Sequence, residues 1–226
     1  MARLARIVAP GIPHHVTQRG NRRQETFFCD ADYVAYKALM SEWCTRCGVQ
    51  VWAYCLMSNH VHLILVPSDE GGLARAVGEA HRRYTRHVNG REGWTGYLWQ
   101  GRFASYPMDE AHLLTAAAYV ERNPVKARMV RTARDYPWSS ARAHLAGQDD
   151  DMVRVAPLLE RCPDWPGLVR GADDPAVLDA MRAHKGSGRP LGTDAFVDGL
   201  EKRLGRSLRP AKRGRKPKQK VGGQRV

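Results

Sequence analysis

The sequence lacks the features that mark several specialised classes of protein. No apolar run approaches the roughly 18 residues that a membrane-spanning helix needs, which excludes an integral membrane protein. The five cysteines are odd in number and show no framework-like spacing, which argues against a disulfide-stapled secreted domain. No signal peptide is recognisable in the first residues, and no internal repeat is visible. We therefore expect a cytoplasmic protein without a membrane partner.

Acidic residues are scarce at the end of the chain. The 226 residues carry a formal net charge of +13, and 43% of them are hydrophobic, which is enough to bury a core. Residues 201–226 hold eleven Lys and Arg against one acid, Glu201, so most of the net charge lies in this segment. We predict a disordered, basic DNA-binding tail over residues 206–226, in which Arg213 and Arg215 bind phosphates and release counterions.

The hydrophobic pattern predicts the element order β-α-β-β-α-β followed by a further helix. The strands are expected at 12–19, 49–56, 61–66 and about 102–106, and the helices at about 31–47, 73–89 and 110–122, the last capped by Asp109 and ended by Asn123-Pro124. This order is the ferredoxin-like split βαβ arrangement, an α+β fold in which an antiparallel sheet carries helices on one face. We place a catalytic domain in residues 1–145, an accessory extension of helices and loops in 146–205 and the tail in 206–226.

Two histidines, His60 and His62, lie inside the apolar run of the third predicted strand. Side chains alternate along a strand, so both histidines share one face while Val61 and Leu63 occupy the other. Two imidazoles about 6–7 Å apart along a strand can bind a single cation. On its own the pair is a weak signal, because two half-exposed histidines on a sheet face would give the same pattern.

Tyr119 and Asn123 lie one turn apart at the end of the last predicted helix. Leu113, Ala117 and Val120 form a different, apolar face, so Tyr119 points away from the core. Taken alone, Tyr119 fits an amphipathic edge position and Asn123 fits a helix cap. The histidines change this interpretation. A metal held by two imidazoles and a side-chain oxygen can polarise a phosphate for attack by a phenol, which is a poor nucleophile unaided.

Several short stretches resemble the REP-associated tyrosine transposases, a group of the HUH nucleases. His60-Val61-His62 is similar to the His-hydrophobic-His motif of these nucleases. The other resembling stretches are 14–21, 57–62, 99–103, 119–125 and 138–140, so the resemblance covers about residues 8–145.

The resemblance implies metal-dependent cleavage and rejoining of single-stranded DNA, usually beside a hairpin. It implies that Tyr119 is the nucleophile and forms a 5′-phosphotyrosine. It also implies that His60 and His62 bind Mg²⁺ or Mn²⁺, with Asn123 as the third ligand. Members of the wider family can work as homodimers that exchange the tyrosine helix, while REP-associated members can be monomers.

Three arginines close to these motifs are the expected DNA contacts. Arg19 and Arg22 flank the end of the first strand, and Arg102 lies in the resembling stretch 99–103. Guanidinium groups suit phosphate contacts on single strands. We therefore predict that Arg19, Arg22 and Arg102 bind DNA near the site.

Two other functions remain open from the sequence alone. One is a DNA-binding protein that recognises hairpins but no longer cuts them. The other is a metal phosphoesterase that uses the two histidines without a covalent intermediate. The presence of Tyr119 together with both histidines favours the transposase over the silent binding protein.

Overall fold

Four strands form one antiparallel sheet at the centre of the protein. The structure is a computed structural model that describes residues 5–172 and 174–210. The sheet order is β2-β3-β1-β4, and the strands are β1 (His14–Arg19), β2 (Val49–Met57), β3 (His60–Pro67) and β4 (Ala104–Pro107). One helix connects β1 to β2 and another connects β3 to β4, so the predicted ferredoxin-like split βαβ fold is confirmed.

The helices of the described residues fall into the two crossover helices and a series that follows β4. They are α1 (Asp30–Arg46), α2 (Gly72–Glu92), α3 (Glu110–Lys126), α4 (Ala141–Ala146), α5 (Ala156–Leu159), α6 (Trp165–Arg170), α7 (Pro175–Ser187) and α8 (Asp194–Leu204). Within this part of the chain, no helix combines the length and the apolar character needed to cross a bilayer. The ends of the strands and crossover helices agree with their predicted bounds or differ from them by at most three residues.

The side chains of β3 alternate between two hydrophobic cores, one on each face of the sheet. Val61 and Leu63 are buried in the core that α1 and α2 share with the sheet. Ile64 and Val66 are buried on the opposite face, in the core that α3 shares with the sheet. The prediction of helices on one face therefore holds for α1 and α2, while α3 and part of the C-terminal extension cover the other face.

The prediction that α3 ends before Pro124 is wrong, because the helix continues through Pro124 to Lys126. A proline inside a helix removes the hydrogen bond to the carbonyl four residues earlier, here that of Val120. The side-chain amide of Asn123 donates to the Tyr119 carbonyl at 2.8 Å and lies 3.5 Å from the Val120 carbonyl. This amide places a donor close to the carbonyl that lost its backbone partner, and the helix extends about two turns beyond the tyrosine.

A buried carboxylate, Glu121, joins α3 to the segments that follow it. One carboxylate oxygen of Glu121 accepts a hydrogen bond from the Ser140 hydroxyl at 2.6 Å and lies 2.6 Å from Nδ1 of His144. The other oxygen accepts from the indole N–H of Trp165 at 3.0 Å. Glu121 and Ser140 are fully buried, and Trp165 is too. The extension after residue 146 is thereby fixed to the tyrosine helix rather than attached as a separate body.

The two ends of the described chain pack against each other. Leu200 of α8 and Leu208 form a small core with Ile7 and Ala9 near the N-terminus. Arg206 also donates a hydrogen bond to a backbone carbonyl of this N-terminal segment. The packed structure therefore extends past residue 206, where the sequence predicts the start of the tail. Residues 211–226 lie outside the described residues.

Candidate active site

The structure brings the predicted nucleophile and the two predicted metal-binding histidines together on the α3 face of the sheet. The ring centroids of His60 and His62 are 5.1 Å apart. The ring centroid of His62 is 5.7 Å from that of Tyr119, and the two rings are nearly perpendicular. The strand alternation orients the histidines, and the packing of Leu113 and Val120 against the sheet orients α3, so that Tyr119 lies beside His62.

A third histidine, His15 of β1, contacts this pair, although the sequence analysis did not select it as a site residue. Nε2 of His15 lies 3.0 Å from Nδ1 of His62, and Nδ1 of His15 lies 2.7 Å from the Tyr106 hydroxyl. Alternation along β1 puts His15 on the same sheet face as Arg19. The sequence shows that His15 shares a strand face with Arg19. It does not show that this face meets His62, because that depends on the register between β1 and β3, which neither strand specifies by itself.

The hydrogen bonds orient the rings of His60 and His62 and leave one nitrogen of each of these two rings free for a ligand. Nδ1–H of His60 donates to the side-chain oxygen of Asn59 at 2.6 Å. When Nδ1–H of His62 donates to His15, and Nδ1–H of His15 donates to Tyr106, His62 keeps a lone pair on Nε2. Nε2 of His60 and Nε2 of His62 form no hydrogen bond within residues 5–172 and 174–210. Outer partners of this kind fix the ring tautomers in metal sites.

Burial keeps all three histidines neutral. Desolvation, assisted by the charges of Arg19 and Lys185, lowers the pKa of His60 to about 4. Desolvation and then Lys185 lower the pKa of His15 to about 3. The pKa of His62 is held well below its ordinary value by burial first, and then by His15 and His60. A neutral imidazole is the form that binds a metal ion, so the site is prepared for ligation at neutral pH.

The donor set fits a divalent cation whose remaining ligands are oxygen atoms. Within the part of the chain that the structure describes, no group of three or more His, Cys, Asp or Glu side chains could hold a metal. His60 and His62 are the candidate imidazole ligands. Asn123 is half-buried, and its amide nitrogen is bonded to the backbone of α3, which leaves its side-chain oxygen as the atom able to bind a metal. Its role as the third ligand stays a prediction.

The predicted DNA contacts occupy three different environments. Arg19 pairs with His60 in the register of β1 against β3, so it lies at the site. Arg102 lines a cavity of about 350 Å³ at the edge of β4. Arg22 lies in the exposed turn after β1, where its positive φ of 52° marks a tight change of chain direction. Arg213 and Arg215 lie outside the described residues.

The sheet directs a His-x-His pair toward a tyrosine on a packed helix. This is the arrangement implied by the resemblance to the HUH nucleases, which are a class of DNA-processing enzymes. Comparison with protein families agrees with this class. The family described as "Transposase IS200 like" matches residues 10–123, which is half of the chain. The protein belongs to this family and is a DNA-processing enzyme.

One curated relative and two solved structures are similar to this chain. A Haemophilus influenzae protein assigned as a REP-associated tyrosine transposase is 24% identical over 121 residues, which are 48% of this chain and 69% of that protein. The solved structure of a REP-associated tyrosine transposase bound to a REP hairpin superimposes with a TM-score of 0.56 at 20% identity, covering 68% of this chain and 92% of that one. A crystal structure of a protein from Deinococcus radiodurans R1, assigned as a transposase, gives a TM-score of 0.38 at 20% identity, covering 54% and 97%.

Proposed function

We propose that this protein is a transposase that cleaves and rejoins single-stranded DNA through a covalent bond to Tyr119. The observation that carries the proposal is the convergence of Tyr119 with His60 and His62, whose rings are separated by 5–6 Å although they come from the hairpin and from α3. Family membership, the Haemophilus influenzae relative and the hairpin-bound structure support a DNA substrate that carries a hairpin.

The proposed reaction is a transesterification at phosphorus. The Tyr119 oxygen forms a bond to the scissile phosphorus and loses its proton, while the bond from phosphorus to the 3′ oxygen breaks and that oxygen gains a proton. The products are a 5′-phosphotyrosine and a free 3′ hydroxyl. Because one phosphoester replaces another, a second 3′ hydroxyl can reverse the step on a new strand without ATP.

The residues around Tyr119 orient the reacting groups. His15 and Tyr106 hold the ring of His62 in one orientation through two hydrogen bonds. The ammonium of Lys126 lies 4.9 Å from the centre of the Tyr119 ring, which places positive charge beside the residue that an anionic phosphate must approach. His60 and His62 would hold Mg²⁺ or Mn²⁺, with Asn123 as a candidate third ligand, and the ion would polarise the scissile phosphate and offset its charge.

The proposed nucleophile and both proposed metal-binding histidines come from one chain in this structure. Tyr119 faces the histidines of its own sheet, because α3 packs on β2 and β3 of the same chain. A helix exchanged with a second copy is not needed to assemble the site.

A labelled oligonucleotide that carries a hairpin and a single-stranded flank tests the proposal. With Mg²⁺, the wild type should give a labelled adduct that survives denaturing electrophoresis, and Tyr119→Phe should give none. Tyr97→Phe is the matched control, because Tyr97 is 86% exposed and lies outside the site.

Each alternative outcome identifies a different function. An adduct that persists in Tyr119→Phe would show that the nucleophile is wrongly assigned. Cleavage by the wild type without any adduct would indicate a metal phosphoesterase. Hairpin binding without cleavage would indicate a DNA-binding protein that has lost catalysis.

A further inference from the structure

A basic cavity lies beside the active site at the open edge of the sheet. β4 is an edge strand, and the cavity of about 350 Å³ runs along it between the N-terminal segment and the end of α7. Arg6, Arg102 and Lys185 line it, and none of the described residues in its wall is acidic. Three cations from three distant parts of the sequence therefore converge on one space.

These three cations are not neutralised within the described residues. Arg6, Arg102 and Lys185 have no carboxylate within ion-pair distance in residues 5–172 and 174–210, whereas many surface arginines do. Arg182, one turn before Lys185 on α7, pairs with Asp179 at 2.6 Å. Arg75 likewise pairs with Asp69 at 2.7 Å. Uncompensated like charges in one cavity are unfavourable unless an anion binds among them.

The positive charge in the cavity is concentrated and partly desolvated. Burial, and then the neighbouring Arg102, lower the pKa of Arg6 to about 10. Burial and Arg19 lower the pKa of Lys185. Both cations would gain from a bound anion, which would offset the repulsion and replace part of the lost hydration.

Lys185 connects this cavity to the histidine cluster. Lys185 follows His184 on α7, and Tyr106, the neighbour of His184, lies 2.7 Å from Nδ1 of His15 through its hydroxyl. The neighbouring His184 also lies against the site, with its ring centroid 6.1 Å from that of Tyr106. An anion bound by Lys185 would therefore lie close to the phosphate that Tyr119 attacks.

We propose that the cavity formed by Arg6, Arg102 and Lys185 binds a backbone phosphate of the DNA strand next to the scissile phosphate. The inference rests on the proposed function and gives the C-terminal extension a role in it. Lys185 comes from the extension and Arg6 from the N-terminal segment, so both segments position the strand at a site whose nucleophile and metal-binding residues belong to the sheet and α3.

The salt dependence of DNA binding tests the proposal without catalysis or metal. The affinity of a labelled single-stranded oligonucleotide is measured by fluorescence anisotropy in EDTA over a series of salt concentrations. Lys185→Gln and Arg102→Gln should each lower the slope of log affinity against log salt by about 0.7, the value for one lost contact to a single strand. Arg182→Gln, which removes an ion-paired cation from the same helix, should leave the slope unchanged.

A neutral phosphate analogue locates the contact. Methylphosphonates are placed one at a time along the oligonucleotide, and the position that weakens wild-type binding but not Lys185→Gln binding is the phosphate in the cavity. That position should adjoin the cleavage site. If no position behaves in this way, or if both Gln variants keep the wild-type slope, the cavity does not bind the strand, while the proposed function stands. If the wild type binds no single-stranded DNA at all, the proposed function and this inference both fail.

Discussion

Replacing Glu121 by glutamine should destabilise the protein by weakening the attachment of the helix that carries Tyr119. The fully buried carboxylate accepts from Ser140 and Trp165 and contacts His144. Glutamine preserves the size and shape of the side chain. It keeps one oxygen, which can serve the Ser140 and His144 contacts, but it presents an N–H₂ group to the indole N–H of Trp165.

The expected loss follows from these contacts. A hydrogen bond to a charged group contributes about 1.5–3 kcal/mol, and a buried donor left unsatisfied costs about 1–3 kcal/mol. Because these two terms overlap, we expect Glu121→Gln to lower the free energy of unfolding by about 2–4 kcal/mol. With an m-value of about 2–3 kcal/mol per molar urea, the unfolding midpoint should fall by about 1 M.

Urea unfolding followed by tryptophan fluorescence and circular dichroism measures this loss. Glu110→Gln is the matched control on the same helix, because Glu110 is exposed and pairs with Arg161 at the surface, where an ion pair contributes at most about 1 kcal/mol. Trp165→Phe removes the indole N–H that Glu121→Gln leaves unsatisfied. The double variant should therefore lose less free energy of unfolding than the two single variants lose when their losses are added. Equal midpoints for Glu121→Gln and Glu110→Gln would refute the reasoning.

Three further predictions follow from the site, the core and the tail. His60→Ala should abolish metal-dependent adduct formation while leaving anisotropy-measured DNA binding in EDTA within about threefold of wild type, and an unchanged adduct yield would contradict its role as a ligand. Burial lowers the pKa of His14 to about 4 and that of His81 to about 3, so below the unfolded pKa near 6.5 the unfolded chain binds more protons. The free energy of unfolding should therefore fall between pH 6.5 and 4.5 by up to about 1.4 kcal/mol per pH unit for each group, and His81→Gln should flatten the profile. Residues 211–226 hold seven Lys and Arg and no acid. Deleting them should lower the slope of log affinity against log salt for DNA by up to about 5 without changing adduct formation at Tyr119. An unchanged slope would exclude the tail from binding.

The sequence was sufficient for the fold and for the residues that alternation alone can orient. Strand periodicity placed His60 and His62 on one face, and helical periodicity separated Tyr119 from the core positions Leu113 and Val120. Both are local properties with fixed repeats of two and 3.6 residues, so they can be read without knowing which elements meet. The structure agrees on the shared face of His60 and His62. The prediction that Tyr119 points away from the core is wrong, because Tyr119 is half-buried, packs against the same core as Leu113 and Val120 and places its ring beside His62 on the sheet.

The rest of the site depends on contacts between distant segments. His15 contacts His62 because β1 pairs with β3 in one register, and Lys185 approaches the site because α7 packs beside β4. Neither contact produces a periodic pattern in the sequence from which it could be predicted. The error at Pro124 has a different origin, since the rule that proline ends a helix holds unless another donor replaces the lost N–H. Here the side chain of Asn123 supplies that donor.

The packing of the two chain ends has a consequence for how the basic tail acts. Arg206 bonds to the backbone carbonyl of Arg6, and Arg6 lines the basic cavity, so residues 211–226 are attached close to where the strand would bind. Once the cavity holds the DNA, contact with the tail becomes an intramolecular step, for which short tethers give effective concentrations in the millimolar range. The cavity and the tail should therefore multiply each other's affinity for one strand. A free peptide of residues 211–226 supplied at micromolar concentration should not replace the tethered segment.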